Sequence, residues 1–227
     1  MEKRFDKRVA PRRVIAHEEK VFHLYSGENV PQKSYAMYNR NISFSRFELM
    51  RCTSLKDIKD KKFMFTVENP IEKVLKWDFL PNNSGSSLVN KKGLDFISEL
   101  CPNEFEYYDT VIEAADGIIT DYKIINILVS VKIADEEKTK YTTFTDGTLF
   151  SYEKLVAKDN PLEGHNMVRD IIDKYTSAGV YVSPYFKSEY QNRKLKGASF
   201  SDAEYPCTDM NSYEFYNENT GIWERWK

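Results

Sequence analysis

Two strand-like runs, residues 105–114 and 121–133, are joined through the turn dipeptide Asp116-Gly117, and no other feature limits the possible folds of this chain as strongly. Such a pair is expected to form an antiparallel hairpin, because Asp-Gly readily takes the backbone conformations of a tight reversal between strands. One side of the second run presents Ile125, Ile127, Val129, Val131 and Ile133, and the other presents Tyr122, Ile124 and Leu128. A strand that is apolar on both sides belongs in the middle of a sheet covered on both faces. Thr145-Asp146-Gly147-Thr148 repeats the turn chemistry between residues 141–144 and 149–152, so a second hairpin is expected to extend that sheet.

Helices flank this hairpin. Leu94, Ile97 and Cys101 recur at helical spacing, with Asn90 as N-cap and Pro102 closing the run, which predicts a helix over 91–101. Ser183-Pro184 reads as an N-cap followed by proline at the first helical position, with Phe186 and Tyr190 on one face and Gly197 as the stop. Short strands are expected over 21–25, 62–67, 167–172 and 180–183, and a short helix over 54–61 with Ser54 as its cap. The turn-forming cluster at residues 81–87 marks a loop and a seam between an N-terminal lobe, 1–85, and a second unit, 86–227. The expected class is α+β: a mainly antiparallel sheet with a central hairpin and two or three flanking helices.

With 41% apolar and 30% charged residues the chain has a globular composition, and 227 residues can bury a core without disulfides or metals. Cys52, Cys101 and Cys207 are odd in number and form no C-x-x-C pair, which points to reduced thiols. No apolar run approaches the length of a membrane span and the first residues are unlike a signal peptide, so a cytoplasmic protein without a membrane partner is expected. Charge is unevenly placed. Residues 1–13 carry six basic against two acidic side chains, and residues 202–227 carry six acidic against two basic. The basic arm could touch an anionic partner or simply be solvated. The acidic end, rich in tyrosine and tryptophan, is either packed on the body or offered to a basic partner.

A search for chemistry returns little. His17, His23 and His165 have no partner at metal-ligand spacing, and there is no G-x-S-x-G elbow, phosphate loop or dinucleotide fingerprint. No metal, cofactor or catalytic residue is therefore expected. With a pI near 6.0 and no ribonucleoprotein motif, a nucleic-acid partner is not expected either. A small-molecule or nucleotide-acting enzyme stays open as the alternative. Its site would have to be assembled from dispersed residues such as Asp121, Asn126 and Arg169 converging on a concave pocket.

The second half of the chain, about residues 80–202, carries a further pattern. Gly93-Leu94-Asp95-Phe96-Ile97 is followed by Asp121-Tyr122 with Ile125-Asn126-Ile127, then by Val182-Ser183-Pro184-Tyr185-Phe186-Lys187 and Lys196-Gly197-Ala198-Ser199-Phe200. This order resembles the immunity proteins of bacterial polymorphic-toxin and contact-dependent competition systems, in a group first catalogued as a domain of unknown function. One departure is Thr139, four residues after Asp135, where the family pattern often has serine. The resemblance implies a non-catalytic cytoplasmic protein that occludes a cognate toxin encoded nearby. Toxins that attack nucleic acids commonly have basic clefts, so the acidic aromatic tail supplies the expected contacts: Asp209, Tyr213, Glu214, Tyr216, Glu218 and Trp223.

Overall fold

A computed structural model describes residues 20–27, 30–143, 147, 149–172, 175–203, 214–217 and 222–225. Most of its regular structure is strand. One four-stranded antiparallel sheet has the order β4 (Phe79–Leu80), β5 (Leu88–Val89), β9 (Lys123–Ile127), β6 (Phe105–Asp109). A second, mixed sheet has the order β2 (Met37–Tyr38), β3 (Met64–Thr66), β7 (Val111–Ala114), β8 (Gly117–Ile119), with β3 and β7 parallel. The five-stranded sheet runs β10 (Ser130–Val131), β13 (Met167–Ile172), β14 (Tyr175–Val182), β1 (Phe22–Ser26), β15 (Ala198–Asp202). Two further pairs stand apart: β11 (Lys140–Thr143) with β12 (Leu149–Lys154), and β16 (Glu214–Asn217) with β17 (Ile222–Arg225). Early and late strands share sheets, since β1 lies between β14 and β15 and β3 lies beside β7.

Both long runs around Asp116-Gly117 divide between sheets. Residues 105–114 form β6 and β7, with a break at Thr110 where the hydroxyl donates to the Tyr122 carbonyl at 2.8 Å. Residues 121–133 likewise become β9 and β10. β6 pairs antiparallel with β9, and β7 pairs with β8 across the Asp-Gly turn. The pair β11–β12 does not extend this sheet as the repeated turn chemistry suggested. It forms its own two-stranded ladder, with register shifts after Lys140 and Thr142.

The expected double burial of the central strand is visible in β9. Ile125 and Ile127 pack with Phe96, Met167, Val182 and Phe186 in one core, while Ile124 packs with Phe63, Phe65 and Leu88 in another. The same alternation operates in the five-stranded sheet, where Val180 and Val182 face the first core and Tyr181 and Val168 face a third.

Three α-helices are present among the described residues: α1 (Ile71–Val74), α2 (Lys91–Leu100) and α3 (Pro184–Asn192). α2 begins where Asn90 Oδ1 accepts the Gly93 amide at 3.0 Å, and α3 begins where the Ser183 hydroxyl accepts the Phe186 amide at 3.0 Å. Phe96 and Phe186 meet edge-to-face, 4.8 Å between ring centres, and so pack the two helices together over the first core.

The expected helix over 54–61 is absent. The Ser54 hydroxyl and the Leu55 amide, which would start it, are both turned to the Glu106 carboxylate, and Asp60 has a φ of 56°. A charged acceptor from a distant strand has displaced the local helix start. No helix among the described residues is long and apolar enough to cross a membrane.

Candidate functional site

Strand β6 carries a buried charge on one face and exposed aromatic surface on the other. On the inner face, Glu106 accepts hydrogen bonds from the Ser54 hydroxyl at 2.6 Å, the Leu55 amide at 3.0 Å and the Tyr108 hydroxyl, and the Lys56 ammonium lies 3.5 Å away. Burial pushes the Glu106 carboxyl up, but the bonds from Ser54, Tyr108, Leu55 and Asn126 outweigh it and hold the group down at about 2. The carboxylate therefore stays ionised and ties residues 54–56 to the strand.

That tie has a testable pH dependence. A pKa held below the ordinary value of 4.5 contributes stability that is present above pH 4.5 and fades as pH falls toward 2. With allowance for solvent screening near the exposed Lys56 head, the contribution is about 2 kcal/mol at neutral pH. Urea denaturation of the parent and of Glu106→Gln should differ by that amount at pH 7, and the gap should close on acidification. A gap that stays constant from pH 7 to pH 3 would contradict the assignment.

On the outer face, Tyr107 is 52% exposed and its ring centre lies 6.5 Å from that of Phe105. A depression of about 600 Å³ runs beside the strand, lined by Phe105, Tyr107 and Tyr108, by Lys56, and by Ser98 and Pro102 at the end of α2. The Lys61 ammonium sits 4.7 Å from the centre of the Tyr108 ring. Basic side chains and exposed aromatic surface thus share one stretch of the molecule. A second depression, about 470 Å³, lies where Arg193 bridges from the end of α3 to Glu99 on α2 through bonds of 2.8 and 2.7 Å.

The residues proposed for a dispersed catalytic site do not line either depression. Asp121 is exposed ahead of β9. Asn126 is fully buried and donates to the Thr53 carbonyl at 2.9 Å. Arg169, also fully buried, donates to the Gly85 carbonyl at 2.7 Å. Buried amides and guanidinium groups of this kind satisfy backbone carbonyls of neighbouring segments. No group of three or more histidine, cysteine, aspartate or glutamate side chains able to hold a metal occurs among the described residues.

Of the tail residues, Asp209, Tyr213 and Glu218 lie outside the described residues. Glu214, Tyr216 and Trp223 fall on β16 and β17, where Glu214 pairs with Arg225 and Tyr216 with Trp223 along the backbone; their side chains also lie outside the description. Thr139, the departure from the family pattern, is buried and exchanges hydrogen bonds with the Val156 main chain, its hydroxyl donating at 3.0 Å and accepting at 3.1 Å. Serine could supply the same two bonds, so the change keeps the contact. Sequence reasoning did not single out Glu106 or Tyr107. The first was detectable as the one charge between the aromatics Phe105 and Tyr107; the second was not, because the stretch Phe105 to Tyr108 has aromatics on both faces.

Residues 9–205 match a family model described as Immunity protein family (Imm11). No curated protein matches the chain.

Proposed function

Because the chain belongs to the Imm11 immunity protein family, we propose that it binds a cognate bacterial toxin and neutralises it by occlusion, without a catalytic step of its own. The family match over residues 9–205 carries this reading. It agrees with a molecule in which two buried ionisable groups, Glu106 and Arg169, are engaged in holding segments together. In this reading the protein acts in the cytoplasm of the toxin-producing cell and protects it and its kin during interbacterial competition.

An interface of about 800 Å² per partner is sufficient for tight association when aromatic anchors and complementary charge are present. We assign the first contact with the toxin to the acidic, aromatic end of the chain, through Asp209, Tyr213, Glu214, Tyr216, Glu218 and Trp223. Its excess of four negative charges over residues 202–227 would draw in a basic toxin cleft.

Co-expression with the product of the adjacent gene tests the proposal. A stoichiometric complex that survives purification, together with growth of cells that die when the adjacent product is expressed alone, is the expected result. A toxic adjacent product that neither binds the chain nor is restrained by it would remove the proposal.

A further inference from the structure

We propose that the toxin is captured by strand addition: an extended segment of it pairs with the open edge of β6, along residues 105–109. This inference rests on the immunity reading and names the surface that reading leaves open.

The ladder itself shows which backbone groups are available. In antiparallel pairing, successive residues turn their amide and carbonyl alternately toward the partner strand and away from it. The Leu128 amide donates to the Glu104 carbonyl at 2.8 Å, and the Ile125 amide turns away from β6 to the Ser87 carbonyl at 2.9 Å. Glu106, opposite Asn126, and Tyr108, opposite Ile124, therefore point their backbone groups at β9. Phe105, Tyr107 and Asp109 point theirs outward. No described strand pairs with that side of β6.

The other end of the same sheet is treated differently. At β4 the Lys196 carbonyl accepts from the Asp78 amide at 3.0 Å and from the Phe79 amide at 2.9 Å, so that edge is capped by the chain itself. At β6 the register with β9 has no bulge, and the strand contains no proline. Open, regular edges invite pairing with another chain, and proteins usually blunt them. Strand addition is a common recognition mode in which backbone bonds supply affinity and flanking side chains supply selectivity.

The side chains around the edge define the occupant. Tyr107 offers exposed aromatic surface to apolar residues of an added strand, beside Phe105, which packs in part against the first core, and the depression of about 600 Å³ gives those residues room. Lys56, whose side chain is 74% exposed, lies 3.5 Å from the Glu106 carboxylate that lines the same depression, so these two charges balance each other beside the groove. The matching toxin segment is therefore an extended strand with alternate apolar residues.

The probe is the product of the adjacent gene, titrated against the full chain and against Tyr107→Ala and Tyr107→Pro. The Tyr107 amide points away from β9, so proline there removes an outward donor and leaves the β9 ladder intact. Loss of a central aromatic anchor should weaken binding roughly 30-fold, with melting curves close to the parent's. Amide exchange at Phe105, Tyr107 and Asp109 should be fast in the free chain and at least about 100-fold slower in the complex.

Four outcomes overturn the inference. Parent binding with both variants equally tight would leave the immunity reading standing and remove β6 as its surface. Slow exchange of these amides in the free monomer would mean that another part of this chain covers the edge. A parent that self-associates through β6, with dimerisation lost in Tyr107→Pro and toxin binding unchanged, would make a second copy the occupant. Failure of the parent to bind at all removes both readings together.

Discussion

Gly197→Ala should leave the protein unfolded or destabilised by about 4 kcal/mol, more than any other glycine replacement considered. Two costs add at this position. Its φ of 104° is a conformation that costs an L-residue about 1–3 kcal/mol. A Cβ there would also lie 1.8 Å from the Phe79 carbonyl oxygen, a backbone atom that cannot rotate away. Relief would require residues 196–197 to withdraw from β4. The bonds from the Asp78 and Phe79 amides to the Lys196 carbonyl would lengthen, and so would the bond from the Gly27 amide to the Gly197 carbonyl at 3.0 Å. Those contacts hold the connection between α3 and β15 against two sheets at once.

A control separates the two costs. Gly164 has a φ of 87°, but a Cβ added to it meets nothing within 4 Å. Gly164→Ala should therefore show only the conformational cost, about 1 kcal/mol. Urea midpoints of the two variants should be well separated. Equal midpoints would mean that Gly197 serves only its φ, and that the closeness to Phe79 carries no weight.

The second large effect is expected at Phe96. Its side chain is 2% exposed and packs edge-to-face on Phe186 at 4.8 Å, on Tyr190 at 6.1 Å and on Phe79 at 6.3 Å. Truncation to alanine leaves a cavity among rings that cannot all collapse into it, so Phe96→Ala should cost about 3–5 kcal/mol. Phe96→Leu, which refills most of the volume, should cost about 1.5 kcal/mol. Denaturant unfolding with an unchanged slope would confirm that stability alone has moved. A cost below 1 kcal/mol for Phe96→Ala would show that the α2–α3 contact is not central to the fold. In cells, a loss of several kcal/mol would lower the protein's abundance and hence protection, even with the toxin-binding surface intact.

The elements that sequence reading placed well are those decided within a few residues. Asn90 and Ser183 cap their helices through bonds to amides three positions on, and Pro184 marks the start of α3 by its own backbone preference, whereas the stop expected at Gly197 falls earlier, at Asn192, with Arg193 as C-cap and Lys194 at a φ of 53°. Double burial of β9 was legible because isoleucine occupies both sides of its alternation. The short helix expected at 54–61 failed for the opposite reason: the carboxylate that takes its cap comes from Glu106, 52 positions away from Ser54.

Sheet membership is likewise a long-range matter. Thr110 and Tyr122 look like ordinary members of their runs, yet a hydroxyl-to-carbonyl bond between them marks the point where one hairpin passes from one sheet into another. Of the candidate surfaces, the acidic aromatic end could be read directly from composition, because charge and ring content are sums over residues. The β6 edge could not. Residues 105–109 alternate as a central strand would, and whether a strand has one neighbour or two is a property of the assembled sheet. Local sequence thus determined the starts of α2 and α3, the turn at Asp116-Gly117 and the apolar character of β9, since each depends on backbone preference or side-chain period. Only the tertiary structure decided which strands pair, where Glu106 is satisfied and which sheet edge has no partner strand among the described residues, since backbone hydrogen bonds between distant segments carry no mark in either segment alone.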